Sequence, residues 1–136
     1  QALAQLRHMA LRWMQVLQDF APHLTGAVWD GTATARHDIY VHVFSDDPKA
    51  PELALLNGGY RFAAHQGVGL REPEVSVLTL YDTLASGQQP TALHFIVNCH
   101  DALRGALRAR KQNGPARGSI EALRQCLAQP AHEGLA

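Results

Sequence analysis

Leu24-Thr25-Gly26-Ala27-Val28-Trp29-Asp30-Gly31-Thr32-Ala33-Thr34-Ala35-Arg36-His37-Asp38-Ile39-Tyr40-Val41 is the stretch on which the reading of the fold turns. Residues 24 to 29 read as a short strand running into a tight turn at Gly31-Thr32, because glycine takes positive φ at no steric cost. From Asp38 to Phe44 the residues alternate. Ile39, Val41 and Val43 fall on one face, and Asp38, Tyr40, His42 and Phe44 on the other. Such a strand is covered on at least one side.

Before this stretch, Leu3, Leu6, Ala10, Trp13, Leu17 and Phe20 recur at spacings of three and four, the apolar stripe of an amphipathic helix that Pro22 closes. After it, Ser45-Asp46-Asp47-Pro48 supplies a helix start and Asn57-Gly58-Gly59 a stop. The helix between them, near residues 48 to 57, is expected to bury Leu53 and Leu56. A short strand at residues 60 to 64 and a β-branched strand at 74 to 81 follow. The turn Ser86-Gly87-Gln88-Gln89-Pro90 makes 74–81 and 91–98 a hairpin. A helix from Asp101 to about Arg110 is broken by Asn113-Gly114-Pro115, and Ser119 caps a last helix carrying Ile120, Leu123 and Leu127. The pattern predicts an α/β (α+β) fold, a mixed β-sheet packed with helices, as one domain over 1–129 with a loose tail at 130–136.

Composition narrows the function classes. With 136 residues, 46% of them hydrophobic, the chain suits a modest core. Twelve basic and twelve acidic residues give a net charge of zero, so there is no broad positive field for nucleic acid or an anionic membrane. Arg104, Arg108, Arg110, Lys111 and Arg117 form the one basic concentration and read as a solvated surface. No apolar run approaches the roughly 20 residues that span a bilayer. Cys99 and Cys126 lie far apart without CxxC spacing, as in a reduced cytoplasmic protein. The eight histidines show no HxH or HExxH spacing and read as scattered titratable groups.

The central stretch resembles the active site of nucleotidyltransferases of the DNA polymerase beta superfamily. Those enzymes read Leu-Phe-Gly-Ser, then about ten residues with a second Gly, then Asp-hydrophobic-Asp. Gly26, Gly31, Thr32, Ala33 and Asp38-Ile39 fall in register without a gap, while Ala27 stands at the serine position and Tyr40 at the second aspartate. Three further segments are similar to a family of small proteobacterial proteins with such a core: Pro22 through Ala33; Asp46-Asp47-Pro48-Lys49-Ala50; and Asp101-Ala102-Leu103-Arg104-Gly105-Ala106-Leu107 with Pro115-Ala116-Arg117-Gly118. Similar sequences carry an additional N-terminal segment, so Gln1 in place of Met reads as the start of a trimmed chain. Some bear the label UDP-N-acetylmuramate-alanine ligase. Ligases of that kind need a GxxxxGK[ST]-like loop, and neither Lys49 nor Lys111 follows a glycine.

The resemblance implies a chemistry and shows what is missing from it. Nucleotidyl transfer commonly uses two divalent ions about 3.5 to 4 Å apart, held by converging carboxylates. Positions 38 and 40, two apart on a strand, place side chains about 6.5 to 7 Å apart on one face. Asp38 is the candidate metal ligand and, with Glu74 from a neighbouring strand, the candidate catalytic pair; Asp82 ranks behind Glu74. Tyr40 offers a phenol where magnesium prefers an anionic oxygen. Gly26 keeps the close backbone approach to a triphosphate, and Ala27 lacks the hydroxyl. Gly26, Ala27, Gly31, Thr32, Tyr40 and His42 are the candidate ligand-binding residues.

Blander roles compete at each position. Asp38 could start a strand, Tyr40 and His42 could pack under a helix, and Trp29 could be core instead of a base-stacking ring. Three functions follow: a degenerate nucleotidyltransferase-fold domain binding a nucleotide-like ligand or a protein partner; a working enzyme using Asp38, Glu74 and His42 with magnesium or manganese; or an assembly module.

Overall fold

The fold is described by a computed structural model for residues 2–34, 36–84, 89–108, 110–111 and 114–129. Helix α1 (Ala2–Val16) buries Leu6 and Ala10 of the expected stripe together with Met9 and Met14, leaves Leu3 and Trp13 partly covered, and a 3-10 turn (Gln18–Phe20) ends it before Pro22. The elements that follow are β1 (His23–Thr25), α2 (Gly26–Asp30), β2 (Ile39–Phe44), α3 (Lys49–Asn57), β3 (Ala63–Gly67), β4 (Val75–Thr83) and β5 (Pro90–Asn98). Then come α4 (Asp101–Arg108), the two-residue strands β6 (Arg110–Lys111), β7 (Gly114–Pro115) and β8 (Gly118–Ser119), and α5 (Ile120–Ala128).

Six strands form one sheet in the order β3-β4-β5-β2-β1-β8, while β6 and β7 make a separate antiparallel ribbon. The β2–β5 pairing is parallel, with Tyr40 opposite His94 and Val43 opposite Val97. The remaining pairs in the sheet are antiparallel, including the expected β4–β5 pair from Val77↔Ile96 to Thr83↔Pro90. The sheet is therefore mixed, as predicted. Its core face presents Leu24, Ile39, Val41, Val43, Leu78, Leu80, Leu93, Phe95 and Val97 to α1, to Leu55 of α3 and to Leu123 of α5. Ser119 caps α5, its Oγ accepting from the Ala122 amide at 3.1 Å. Among the described residues, the opposite face is covered by helix only at the Phe44 end, where Phe44 packs with Ala102 and Leu103 of α4.

Three local expectations are corrected. The strand predicted over 24–29 ends at Thr25, because Gly26, at φ +76°, turns the chain into α2. That short helix is held at its C-terminal end by backbone and side chain. The Ala27 carbonyl accepts from the amides of Gly31, Thr32 and Ala33 at 3.0 to 3.1 Å. Arg7 of α1 donates from Nε to the Val28 carbonyl (2.8 Å) and from Nη2 to that of Trp29 (2.7 Å), satisfying acceptors that a helix end leaves over. Helix α3 buries Pro51 and Leu55, with Ala54 partly covered, and leaves Leu53 and Leu56 exposed. A short helix with apolar residues on two sides offers two stripes, and the sheet takes the 51/54/55 one. The strand expected at 60–64 runs from Ala63 instead, because Tyr60 is anchored by its amide to the Leu55 carbonyl (3.0 Å) and sits edge-on to Trp13. The turn at 86–88 and the tail from 130 lie outside the described residues.

Packing at the sheet's far edge is tight enough to test. A Cβ on Gly118 of β8 would run into the Trp29 ring. Gly118→Ala is expected to cost about 1 to 3 kcal/mol in urea unfolding through overpacking. In the same assay Leu55→Ala should cost about 2 to 5 kcal/mol, and Leu53→Ala should stay within about 0.5 kcal/mol.

Candidate functional site

Parity on each strand decides what stands on the sheet face turned away from α1. On β2 these are Tyr40, His42 and Phe44, with Asp38 just before the strand; β5 adds His94 and Asn98, β4 adds Thr79 and Tyr81, β3 adds His65, and β1 adds His23 and Thr25. The register sets Thr79 level with His94 and Tyr40, and His65, level with Val77, stands one pair further along the same face.

The side chains join into one line. His65 Nε2 lies 2.8 Å from Thr79 Oγ1, Thr79 Oγ1 lies 2.8 Å from His94 Nδ1, and His94 Nε2 lies 2.9 Å from Asp38 Oδ2. The middle is covered, Thr79 being 6% exposed, whereas the Asp38 side chain at the end is 41% exposed. Tyr40 stacks on His94 with ring centres 4.8 Å apart and planes 21° apart. Gly26 adjoins this corner, since a Cβ there would lie 3.9 Å from Tyr40 Cδ2. Beyond Asp38, Arg36, His37, Pro90 and Thr91 line an open cleft of about 260 Å³.

The structure thus brings Gly26, Asp38 and Tyr40 together and separates them from other expected partners. Glu74 precedes β4 at the opposite end of the sheet, six residues before Leu80, the residue level with Ile39 and Leu93. At about 3.4 Å per residue along the strands, it lies more than about 20 Å from Asp38. The Asp38–Glu74 pair is corrected: an antiparallel β4 carries its first residue away from the start of β2. Glu74 instead lines a cavity of about 240 Å³ with Asp46 and Glu72. Asp82 is also engaged elsewhere, accepting from Trp13 Nε1 at 2.9 Å on the α1 side. Gly31 and Thr32 fall at the far end of α2, where Gly31 faces Arg7 and the Thr32 hydroxyl donates to Asp30. Ala27 is the pivot of the turn through its carbonyl. Trp29 packs on the core and on Gly118, the structural role among the two considered.

His42 shares the face but is spoken for. Asn98 Nδ2 donates to His42 Nδ1 at 3.0 Å and to the backbone carbonyls of Ile96 and Val43, while Asn98 Oδ1 accepts from the Leu70 amide. Burial, then the charge of Arg117, then His23 push the His42 imidazole down to about 4. His23 is lowered too, first by burial, although its bond to the Ala21 carbonyl works against this. Both rings are held neutral.

The donor set does not fit a two-metal centre. It offers one carboxylate already bonded to an imidazole, a phenol and a histidine turned toward an amide, and among the described residues no group of three His, Cys, Asp or Glu side chains is arranged to hold a metal ion. Nor is any described helix long and apolar enough to cross a membrane. A scan of protein families and a search of curated proteins find no match for this chain. His65, Thr79 and His94 were missed by sequence reading; strand parity would have put each on a face, but no spacing motif links residues on three strands.

Histidines kept neutral by burial make stability depend on pH. The unfolded chain binds protons at His42 below its ordinary value near 6.5, while the folded chain binds them only near 4. Stability is therefore full above 6.5 and falls as the pH drops through 4. The loss attached to His42 is on the order of 3 kcal/mol. Urea midpoints measured from pH 7 to 4 should decline less steeply in His42→Gln than in the wild type; equal slopes would remove His42 as the cause.

Proposed function

We propose that the chain is a degenerate nucleotidyltransferase-fold domain that binds a nucleotide-like ligand at the Gly26, Asp38 and Tyr40 corner and has little or no transfer activity. One observation carries the reading: the glycine turn after β1 and the acid before β2 meet at the same end of the sheet, away from the Phe44 end that α4 covers, with β2 paired in parallel to β5. A handling site for a phosphorylated ligand needs that juxtaposition of close backbone and acidic strand start. What it lacks argues for lost turnover. Ala27 offers no hydroxyl, Tyr40 puts a ring where a carboxylate would complete a metal pair, and Asp38 is bonded to His94.

The ring at position 40 supports a binding role. Tyr40 is 41% exposed and fixed by its stack on His94, so it presents an ordered aromatic surface of the kind that packs against planar bases. A cytoplasmic setting accords with the two free cysteines, Cys99 and Cys126, neither of them in a disulfide.

Calorimetry with nucleoside triphosphates tests the reading. Binding is expected with little dependence on magnesium or manganese, and Ala27→Ser combined with Tyr40→Asp should raise the metal-dependent part of the affinity by supplying the hydroxyl and the second carboxylate. Absence of heat with the folded wild type, or an unchanged affinity in the folded double variant, counts against the inherited site. Transfer of labelled nucleotide that Asp38→Asn abolishes would restore the enzyme reading.

A further inference from the structure

The line His65–Thr79–His94–Asp38 has a property that its donors and acceptors dictate. A carboxylate only accepts, so His94 Nε2 must carry the proton of the 2.9 Å bond to Asp38. A backbone carbonyl also only accepts, so His65 Nδ1 must carry the proton of its 3.3 Å contact with the Gln66 carbonyl. The two inner ring atoms, His65 Nε2 and His94 Nδ1, then share one hydroxyl, each 2.8 Å from Thr79 Oγ1. A hydroxyl donates once. It serves one ring as donor and must accept from the other.

Counting follows from this. All four contacts are made together only when the two rings hold three protons between them, one more than two neutral imidazoles hold. That extra proton has two placements. In one, His65 is the imidazolium: its Nε2–H donates to Thr79, whose hydroxyl donates to His94 Nδ1. In the other, His94 is the imidazolium: its Nδ1–H donates to Thr79, whose hydroxyl donates to His65 Nε2. Passing from the first to the second breaks the His65 Nε2–H bond as the proton joins Thr79 Oγ1, and breaks the old Thr79 O–H bond as its proton joins His94 Nδ1. No net charge is created, and the positive charge moves beside Asp38.

We propose that His94 and Asp38 form a metal-independent acid–base site, with Thr79 as a relay that carries its proton to and from His65. The chemical class of ligand this suits has a hydroxyl, amine or ring N–H within reach of the Asp38 end. Exposure fits the division of labour: Thr79 is buried and His94 mostly so, whereas His65 is exposed and the Asp38 side chain is part-exposed, so protons enter and leave at the ends. The ionisable groups facing His94 are Asp38 and Tyr40 from the β2 side, Tyr81 from β4 and His65 from β3, with His42 one pair further along β2. Asp38 is the one acid among them. The relay is a property of the protein itself and stands whether or not the corner takes a nucleotide.

The test is nitrogen-resolved NMR of the 15N-histidine-labelled full chain at a single near-neutral pH, comparing wild type with Thr79→Val and Thr79→Ser. In the wild type, His94 is expected to be protonated at Nε2, the Nδ1 of His94 and the Nε2 of His65 should both show shifts intermediate between bonded states, and a slowly exchanging Thr79 hydroxyl proton should correlate with both rings. Thr79→Val, equal in shape, should abolish the intermediate shifts and leave each ring in its own unlinked state. Thr79→Ser, which keeps the hydroxyl, should retain them. A neutral His94 protonated at Nδ1 in the wild type, or shifts unaltered in the folded valine variant, overturns the relay. Loss in the serine and valine variants alike would assign the effect to packing and overturn it as well.

Discussion

Parallel pairing of β2 with β5 is the constraint on which the rest of this structure depends. It sets Tyr40 beside His94 and brings the imidazole within reach of Asp38. Two parallel neighbours need a long connection, and here that connection includes α3, β3 and β4. β4 returns antiparallel to β5 and contributes Thr79 on the same level. A shift of one residue between β2 and β5 would move His94 to the core side and leave Asp38 without its partner.

The two faces of the sheet have been given different work. One is closed by α1, α3 and α5 over aliphatic side chains and supplies the stability. The other carries a polar row whose members satisfy one another, which is what permits Thr79, His42 and Asn98 to be buried without helix cover above them all. The contrast with an active nucleotidyl-transfer site is electrostatic. Converging carboxylates create a field that only cations relieve, whereas an acid bonded to an imidazole is already balanced. Tyr40, two residues along the strand from that acid, provides the surface against which His94 is stacked.

Much of the fold was legible because local pattern and tertiary need agree. The stripe of α1, the alternation of 38–44, the Ser119 cap and the β4–β5 pair all follow from spacing. Misreadings arose where tertiary contacts choose between local options. Val28 and Trp29 suit a strand, but Gly26 at positive φ and the grip of Arg7 make them helical. Leu53 and Leu56 are as apolar as Leu55, and only the sheet decides which side of α3 is inward. The site was half legible. Gly26, Asp38 and Tyr40 belong to one continuous motif, so their proximity could be read; His65, Thr79 and His94 meet them only through interstrand register, which leaves no mark in the spacing along the chain.

The outermost partner of β1 is β8, only two residues long and drawn from Gly118 and Ser119, almost a hundred positions downstream. During synthesis from the N-terminus, β1 and β2 can pair early, yet the free margin of β1 has nothing to bond until the ribosome has released that late segment. Until residues 118 and 119 emerge, the nascent chain therefore leaves the backbone ladder of β1 open at His23 and Leu24, the kind of margin along which chains stick to one another. Arrival of β8 and α5 seals this seam, so truncations just short of residue 118 should be prone to association during folding even though they retain every residue from Asp38 to His94.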